Sequence, residues 1–192
     1  MEIEKEVRYL VDENCWNKIL NGTTEYKPKE HMIDITLGKY GFDSFAKTGR
    51  VFRVRQKGQR ISLEIKKRVD NSQWLEESIP LESVEKGLSY LHLAGLDPYL
   101  YIDRYREVKK YKGLKIFFDN VDMLGRFIEI EYQDCANGLS ELNEFVSQFD
   151  IKGEPQELYG DIIIHKYKTN PEFRAKFDIR MSELMSNATR QK

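Results

Sequence analysis

Near its start the chain reads Glu4-Lys5-Glu6-Val7-Arg8. In an extended strand alternate side chains share a face, so Glu4, Glu6 and Arg8 point the same way. Two carboxylates and a guanidinium on one face suit either a solvated surface or a wall lining a site for something charged. The pattern recurs down the chain: Arg53 with Arg55, then Ser62, Glu64 and Lys66, then Glu76 with Ser78. Arg104 is in phase with Arg106, Asp119 stands alone on its strand, and Glu129 is in phase with Glu131. The opposite faces carry Phe52 with Val54, Ile61 with Leu63 and Ile65, and Ile128 with Ile130. An ordinary solvated face mixes signs residue by residue, with Lys, Thr, Ser and Gln prominent. Here the first and last strands supply Glu-x-Glu pairs, and bases fill the strands between.

The residue types name a chemistry. Hard divalent cations such as Mg2+ or Mn2+ prefer carboxylate oxygens and share the phosphate oxygens of a ligand. Arginine forks match phosphate oxygens two at a time, so several arginines suit a polyanion. A carboxylate set facing an arginine–lysine set reads as a metal–oligophosphate site. An open sheet with its charged face in water is the competing reading of the same residues.

The elements that must position these side chains follow from periodicity. After the first strand, Asp12 caps a short helix to about Leu20, stopped by Asn21-Gly22. Residues 21–30 are polar and turn-like, a short strand is expected over 31–37, and the three glycines of 38–49 mark a long loop. A hairpin follows, with strands 51–55 and 60–66 around Lys57-Gly58-Gln59. A turn at Asp70-Asn71-Ser72 leads into a strand over 73–81, and a helix runs from Ser83 to Ala94 with Gly95 at its end. Strands are expected at 99–111, 114–121 and 126–133, and helices at 139–149, 157–168 and 171–186. About eight hairpin-linked strands with few helices between them give an α+β class, an antiparallel sheet curled toward a barrel. If the sheet closes, its apolar faces lie outside under the helices and its charged faces inside.

Bulk properties narrow the function. A chain of 192 residues with 40% hydrophobic content can bury a real core, and a net charge of −1 despite 33% charged residues argues against a general nucleic-acid or membrane-surface binder. No apolar run approaches 18 residues and no leader is read, so neither a transmembrane nor a secretory segment is expected. Cys15 and Cys135 are isolated, which favours a reducing cytoplasm; His31, His92 and His165 lack metal-ligand spacing. The lysine runs at 66–68 and 109–112 are read as solvated strand ends, with Lys66 facing the charged side and Lys67 away from it.

These residues carry a family resemblance. Glu4-x-Glu6-x-Arg8 resembles the Glu-x-Glu-x-Lys signature that opens the CYTH domain of the triphosphate tunnel metalloenzymes. That family includes class IV adenylyl cyclases, thiamine triphosphatases and inorganic triphosphatases. Arg53-x-Arg55 followed by Lys66 resembles its Arg-x-Arg and following Lys, and Arg104-x-Arg106 its later basic pair. The stretch Asp119-x-Val121-x-x-Leu124-Gly125-x-Phe127-x-Glu129-x-Glu131 is similar to its most distinctive block, and Tyr159-Gly160-Asp161-Ile162 to its C-terminal tyrosine segment. Arg8 stands where the family usually has lysine, keeping the charge without being able to give up a proton. Asp34 through Phe45 departs from the usual Tyr-Phe-Asp-Thr-like stretch.

The resemblance implies an eight-stranded antiparallel closed tunnel barrel with helices packed outside, formed by residues 1–168. A helical C-terminal tail, 169–192, is part of the same domain. It implies that Glu4, Glu6, Glu129 and Glu131 hold Mg2+ or Mn2+, with Asp119 among the metal carboxylates. Arg8, Arg53, Arg55, Lys66, Arg104 and Arg106 would bind a triphosphate, Glu4, Glu6 and Arg8 would be catalytic, and Glu64 and Glu76 are further candidates. The expected activity is divalent-metal-dependent hydrolysis of inorganic, nucleoside or thiamine triphosphate, with cyclisation of ATP to cyclic AMP and pyrophosphate as the alternative. The expected partner is a small-molecule triphosphate rather than nucleic acid or membrane, for a cytoplasmic monomer or homodimer.

Overall fold

The computed structural model describes residues 4–68 and 74–190, apart from the side chains of Glu4, Trp74 and residues 187–190. Eight strands form one antiparallel sheet: β1 (Glu4–Leu10), β2 (Thr24–Gly38), β3 (Arg50–Lys57), β4 (Arg60–Arg68), β5 (Trp74–Leu81), β6 (Asp97–Tyr111), β7 (Leu114–Val121) and β8 (Gly125–Gln133). Six helices accompany them: α1 (Glu13–Gly22), α2 (Ser44–Thr48), α3 (Val84–Leu93), α4 (Ala136–Gln148), α5 (Tyr159–Thr169) and α6 (Pro171–Arg190). The strand order is β1-β8-β7-β6-β2-β3-β4-β5. The chain divides into two compact units, residues 1–31 with 104–158 and residues 32–103 with 159–192. Among the described residues, no helix is long and apolar enough to cross a membrane.

In the first unit, the alternation of β7 and β8 puts Ile116, Phe118, Ile128 and Ile130 on one face, all essentially sealed from water. Ile19 of α1 and Leu142 and Phe145 of α4 cover that face, with Phe149 just past the end of α4. Trp16 meets Phe118 edge-on with ring centroids 5.0 Å apart. The expected cap is present: the Asp12 carboxylate accepts from the Cys15 backbone N–H at 2.8 Å and starts α1. Burying each of these large apolar side chains contributes about 1.5–3 kcal/mol, so this face dictates which way the charged face must turn.

The second unit repeats the arrangement. Ile35 and Leu37 of β2 and Val54 of β3 pack against Val84, Leu88 and Leu91 of α3. The helix lies close because of Gly87, where a Cβ would come within 2.5 Å of Leu81 and 2.9 Å of Val54. The Ser83 hydroxyl accepts from the Lys86 N–H at 3.1 Å as its cap. On α6, Phe177 stacks on Tyr101 at 4.7 Å, and Arg180 donates to Asp103 at 3.1 Å.

Three expectations change. Residues 24–30, read as polar and turn-like, are the first half of a fifteen-residue β2. They are almost wholly exposed, so neither face carries the apolar alternation that betrays a strand; ladder pairing alone specifies it. The expected loop at 38–49 holds a 3-10 turn at Gly41–Asp43 and the short α2, ended by Gly49 at φ 62°. Its organiser is Ser44, buried and accepting from the Tyr40 N–H at 2.9 Å. Finally, the sheet order begins at β1 and ends at β5, where a closed barrel was expected. The outer edge of β1 accepts a hydrogen bond at Arg8 O from Gln156 N at 2.7 Å, and β5 carries Pro80, which has no N–H to pair. The turn expected at residues 70–72 lies outside the described residues.

Gly138, in the first turn of α4, leaves no room for a side chain, because a Cβ would collide with the Gln133 carbonyl oxygen. Gly138→Ala should destabilise the protein by about 1–3 kcal/mol. The exposed neighbour Asn137→Ala should stay within about 0.5 kcal/mol. Urea midpoints of the two variants check this.

Candidate active site

Strand register decides which charges meet. In the first unit Arg8 lies opposite Glu129, and Arg106 opposite Asp119. Arg8 donates through Nε at 2.9 Å and Nη2 at 2.5 Å to one oxygen of Glu129, and more weakly to Glu6 at 3.4 Å. Arg106 grips Asp119 with two bonds, Nε at 2.7 Å and Nη2 at 2.5 Å, and also reaches the other oxygen of Glu129 at 3.0 Å. Glu129 therefore bridges two arginines from different strands. The Arg106 guanidinium also sits 4.5 Å from the centre of the Phe117 ring, a cation–π contact. Arg104, two residues back on the same face of β6, is buried.

The next rung of β1–β8 sets Glu6 opposite Glu131, and Glu131 also lies opposite Lys115 of β7, with which it pairs. Like charges facing each other across a ladder are destabilising. The Glu6 carboxyl is pushed above the usual carboxylate range, by loss of hydration first and then by the charge of Glu129, with Glu131 adding to it. Glu4 lies opposite Gln133, and its side chain is outside the described residues.

The second unit builds the same device from other strands. Asp34 lies opposite Arg55, and Arg53 opposite Glu64. Asp34 accepts from Arg55 Nε at 2.6 Å and Nη2 at 2.7 Å. Glu64 takes Arg53 Nε at 2.6 Å on one oxygen and Arg55 Nη1 at 3.1 Å on the other. In each unit an aspartate grips one arginine at two points while a glutamate ties that arginine to a second. Lys66 adjoins this cluster and donates to Glu76 at 2.5 Å, a pair that is largely in water.

The structure thus brings Glu6, Arg8, Arg106, Asp119, Glu129 and Glu131 together in one unit, and Arg53, Arg55 and Glu64 in the other. Asp119, expected among the metal carboxylates, spends both oxygens on Arg106. Two participants escaped the sequence reading. Asp34, 1% exposed, is as buried as any core residue, and its signal was its place between Ile33 and Ile35 in an otherwise apolar alternation. Lys115 was hidden because it precedes Asp119 on a strand read only for its acid.

An α+β protein with an eight-stranded antiparallel sheet, apolar under its helices and lined with braced arginines on its other face, is the class these features define. The chain belongs to the CYTH domain family, whose model matches residues 2–153. It is similar in fold to the PH1819 protein from Pyrococcus horikoshii OT3, with a TM-score of 0.67 and 22% identity, over 85% of this chain and 99% of that one. A conserved hypothetical protein from Pyrococcus furiosus gives 0.66 and 18%, over 82% and 98% of the two chains. The protein HpAC1 from Hippeastrum, described as having a dominant triphosphatase activity, gives 0.62 and 14%, over 89% and 98%. No curated protein matches the chain.

The family implies a divalent cation, and the donors in the first unit suit one. They are hard carboxylate oxygens, and the opposition of Glu6 and Glu131 is the kind of strain a cation relieves. Among the described residues, no three acidic, histidine or cysteine side chains already converge on one point. Glu129 and Asp119 are turned toward arginines instead.

A buried ion pair stripped of one partner leaves an uncompensated charge. Asp119→Ala and Asp34→Ala should each cost about 3–5 kcal/mol of stability. Glu144→Ala, which removes the exposed Lys112–Glu144 pair, should leave the stability nearly unchanged. Denaturant titrations of the three variants measure the contrast.

Proposed function

We propose that this chain hydrolyses a triphosphate with the help of a divalent cation. The observation that carries the reading is the pair of neutral arginine–carboxylate clusters. Arg8 and Arg106 are balanced by Asp119 and Glu129, and Arg53 and Arg55 by Asp34 and Glu64. Guanidiniums held in fixed directions match phosphate oxygens at two points without first having to be ordered. Because the carboxylates already cancel their charge, a polyanion bound there needs further cations, and the opposed Glu6 and Glu131 are suited to hold one. The Hippeastrum protein of similar fold, described as an adenylyl cyclase candidate with a dominant triphosphatase activity, is in keeping with this reading.

In this reading Arg8, Arg53, Arg55, Lys66, Arg104 and Arg106 bind the phosphates. Glu4, Glu6 and Glu131 hold the cation, Mg2+ or Mn2+, while Glu129, expected beside them, and Asp119 act through the arginines they grip. When bound, the cation neutralises phosphoryl oxygens and helps align an in-line displacement. Glu129 keeps Arg8 and Arg106 aimed together, so charge developing on the transferred phosphoryl group meets donors already in place. Arg8 stays protonated throughout and acts as a permanent cation. Glu6, with Glu4 in phase on the same strand, orients the attacking water.

Inorganic, nucleoside and thiamine triphosphates assayed with Mg2+ and with Mn2+ should release phosphate from at least one substrate. Chelation should abolish turnover, and either cation should restore it. Cyclic AMP with pyrophosphate from ATP would instead assign a cyclase. Glu129→Gln should lower kcat/KM by roughly a hundredfold or more, while Lys67→Ala should leave it unchanged. Full turnover with unaltered metal dependence in Glu129→Gln would reject the assignment.

A further inference from the structure

Gln133 ends β8 in phase with Glu129 and Glu131. Read along β1 and β8, successive rungs on that face pair Arg8 with Glu129, Glu6 with Glu131, and Glu4 with Gln133. The last rung sets a neutral amide opposite a carboxylate, where the rung before it opposes two carboxylates. The Oε1 of Gln133 is shielded from solvent and accepts no hydrogen bond among the described residues. A buried acceptor left unmet costs about 1–3 kcal/mol, and such atoms are rare enough in native proteins to need a cause.

The surroundings show which cause fits. The in-phase neighbours along these rungs, Glu4, Glu6 and Glu131, are acceptors when ionised and have no proton to give. Lys115, the base opposite Glu131 on β7, pairs with that glutamate and does not reach the Gln133 oxygen. Lys5 points to the other face and pairs with Asp134 at 2.9 Å. An amide oxygen grouped with carboxylates, and offered no donor by them, is the donor set of a hard divalent cation, which takes amide carbonyls alongside carboxylates.

We propose that Gln133 is a further ligand residue of the divalent-cation site, supplying its side-chain oxygen beside the carboxylates of Glu6 and Glu131, with Glu4 opposite it in the strand register. The proposal rests on the reading of those carboxylates as cation ligands. A neutral fourth donor adds coordination without another negative charge on a rung next to one where two already face each other.

The test is Mn2+ binding to the full chain without any triphosphate, followed by the electron paramagnetic resonance signal of free Mn2+. Gln133→Met keeps the size of the side chain and removes the oxygen. It should weaken Mn2+ binding about tenfold with no loss in the urea midpoint. Gln133→Glu adds a charged oxygen at nearly the same size and should tighten binding. Glu131→Gln serves as the reference for the carboxylate site and should weaken it. If Gln133→Met binds Mn2+ like the wild type, or Gln133→Glu binds it more weakly, while Glu131→Gln loses affinity, Gln133 is not a ligand and the carboxylate site stands. If none of the variants changes affinity, the carboxylate reading fails and this proposal fails with it.

Discussion

A charge removed from water must meet its opposite, and that constraint governs both units of this protein. Asp119 is 0% exposed and Asp34 is 1% exposed. Neither carboxylate could stay ionised there without a guanidinium gripping both of its oxygens. Each grip depends on cross-strand register: Arg106 lies opposite Asp119, and Arg55 opposite Asp34. Sliding a strand by one residue would turn every charge into the apolar layer and every apolar side chain into the charged one. The hydrophobic faces under α1 and α4 in one unit, and under α3 in the other, therefore enforce the same registers as the ion pairs. Two independent penalties oppose any slip.

The same constraint shapes the chemistry. An arginine on a solvated surface must surrender side-chain freedom to bind a phosphate. Arg8, Arg106, Arg53 and Arg55 have surrendered it during folding, because Glu129 and Glu64 each tie two of them together. The carboxylates that hold the arginines also cancel their charge, so the clusters offer direction more than net attraction. That is why the carboxylates without such a grip, Glu6 and Glu131, matter so much to the proposed function. Their opposition across β1 and β8 creates a demand for positive charge beside donors that are already oriented.

Much of this was legible in the chain. Period-two alternation located most of the strands because each had one apolar face against a helix, as with Ile128 and Ile130 on β8. Where no face is buried, as over residues 24–30, alternation carried no signal and the first half of β2 was missed. The small helix at 44–48 was missed for another reason: it is only five residues long between flanking glycines, and its anchor is one buried serine. Glu64 stood out by phase, and its part in holding Arg53 and Arg55 came only from the pairing of β3 with β4.

The residue pattern by itself determined the class of the fold, the charged phase of the strands and the family, since these depend only on the order of side chains along extended backbone. It named nearly every charged residue that the clusters contain. Only the tertiary structure decided which charges touch. Asp119 turned to Arg106, Glu129 became a bridge, Asp34 joined as an unannounced partner, and the order of strands came to end at β1 and β5. The physical reason is that phase is a local property of one strand, whereas contact depends on register between strands far apart in sequence, and register is chosen by the packing of the whole sheet.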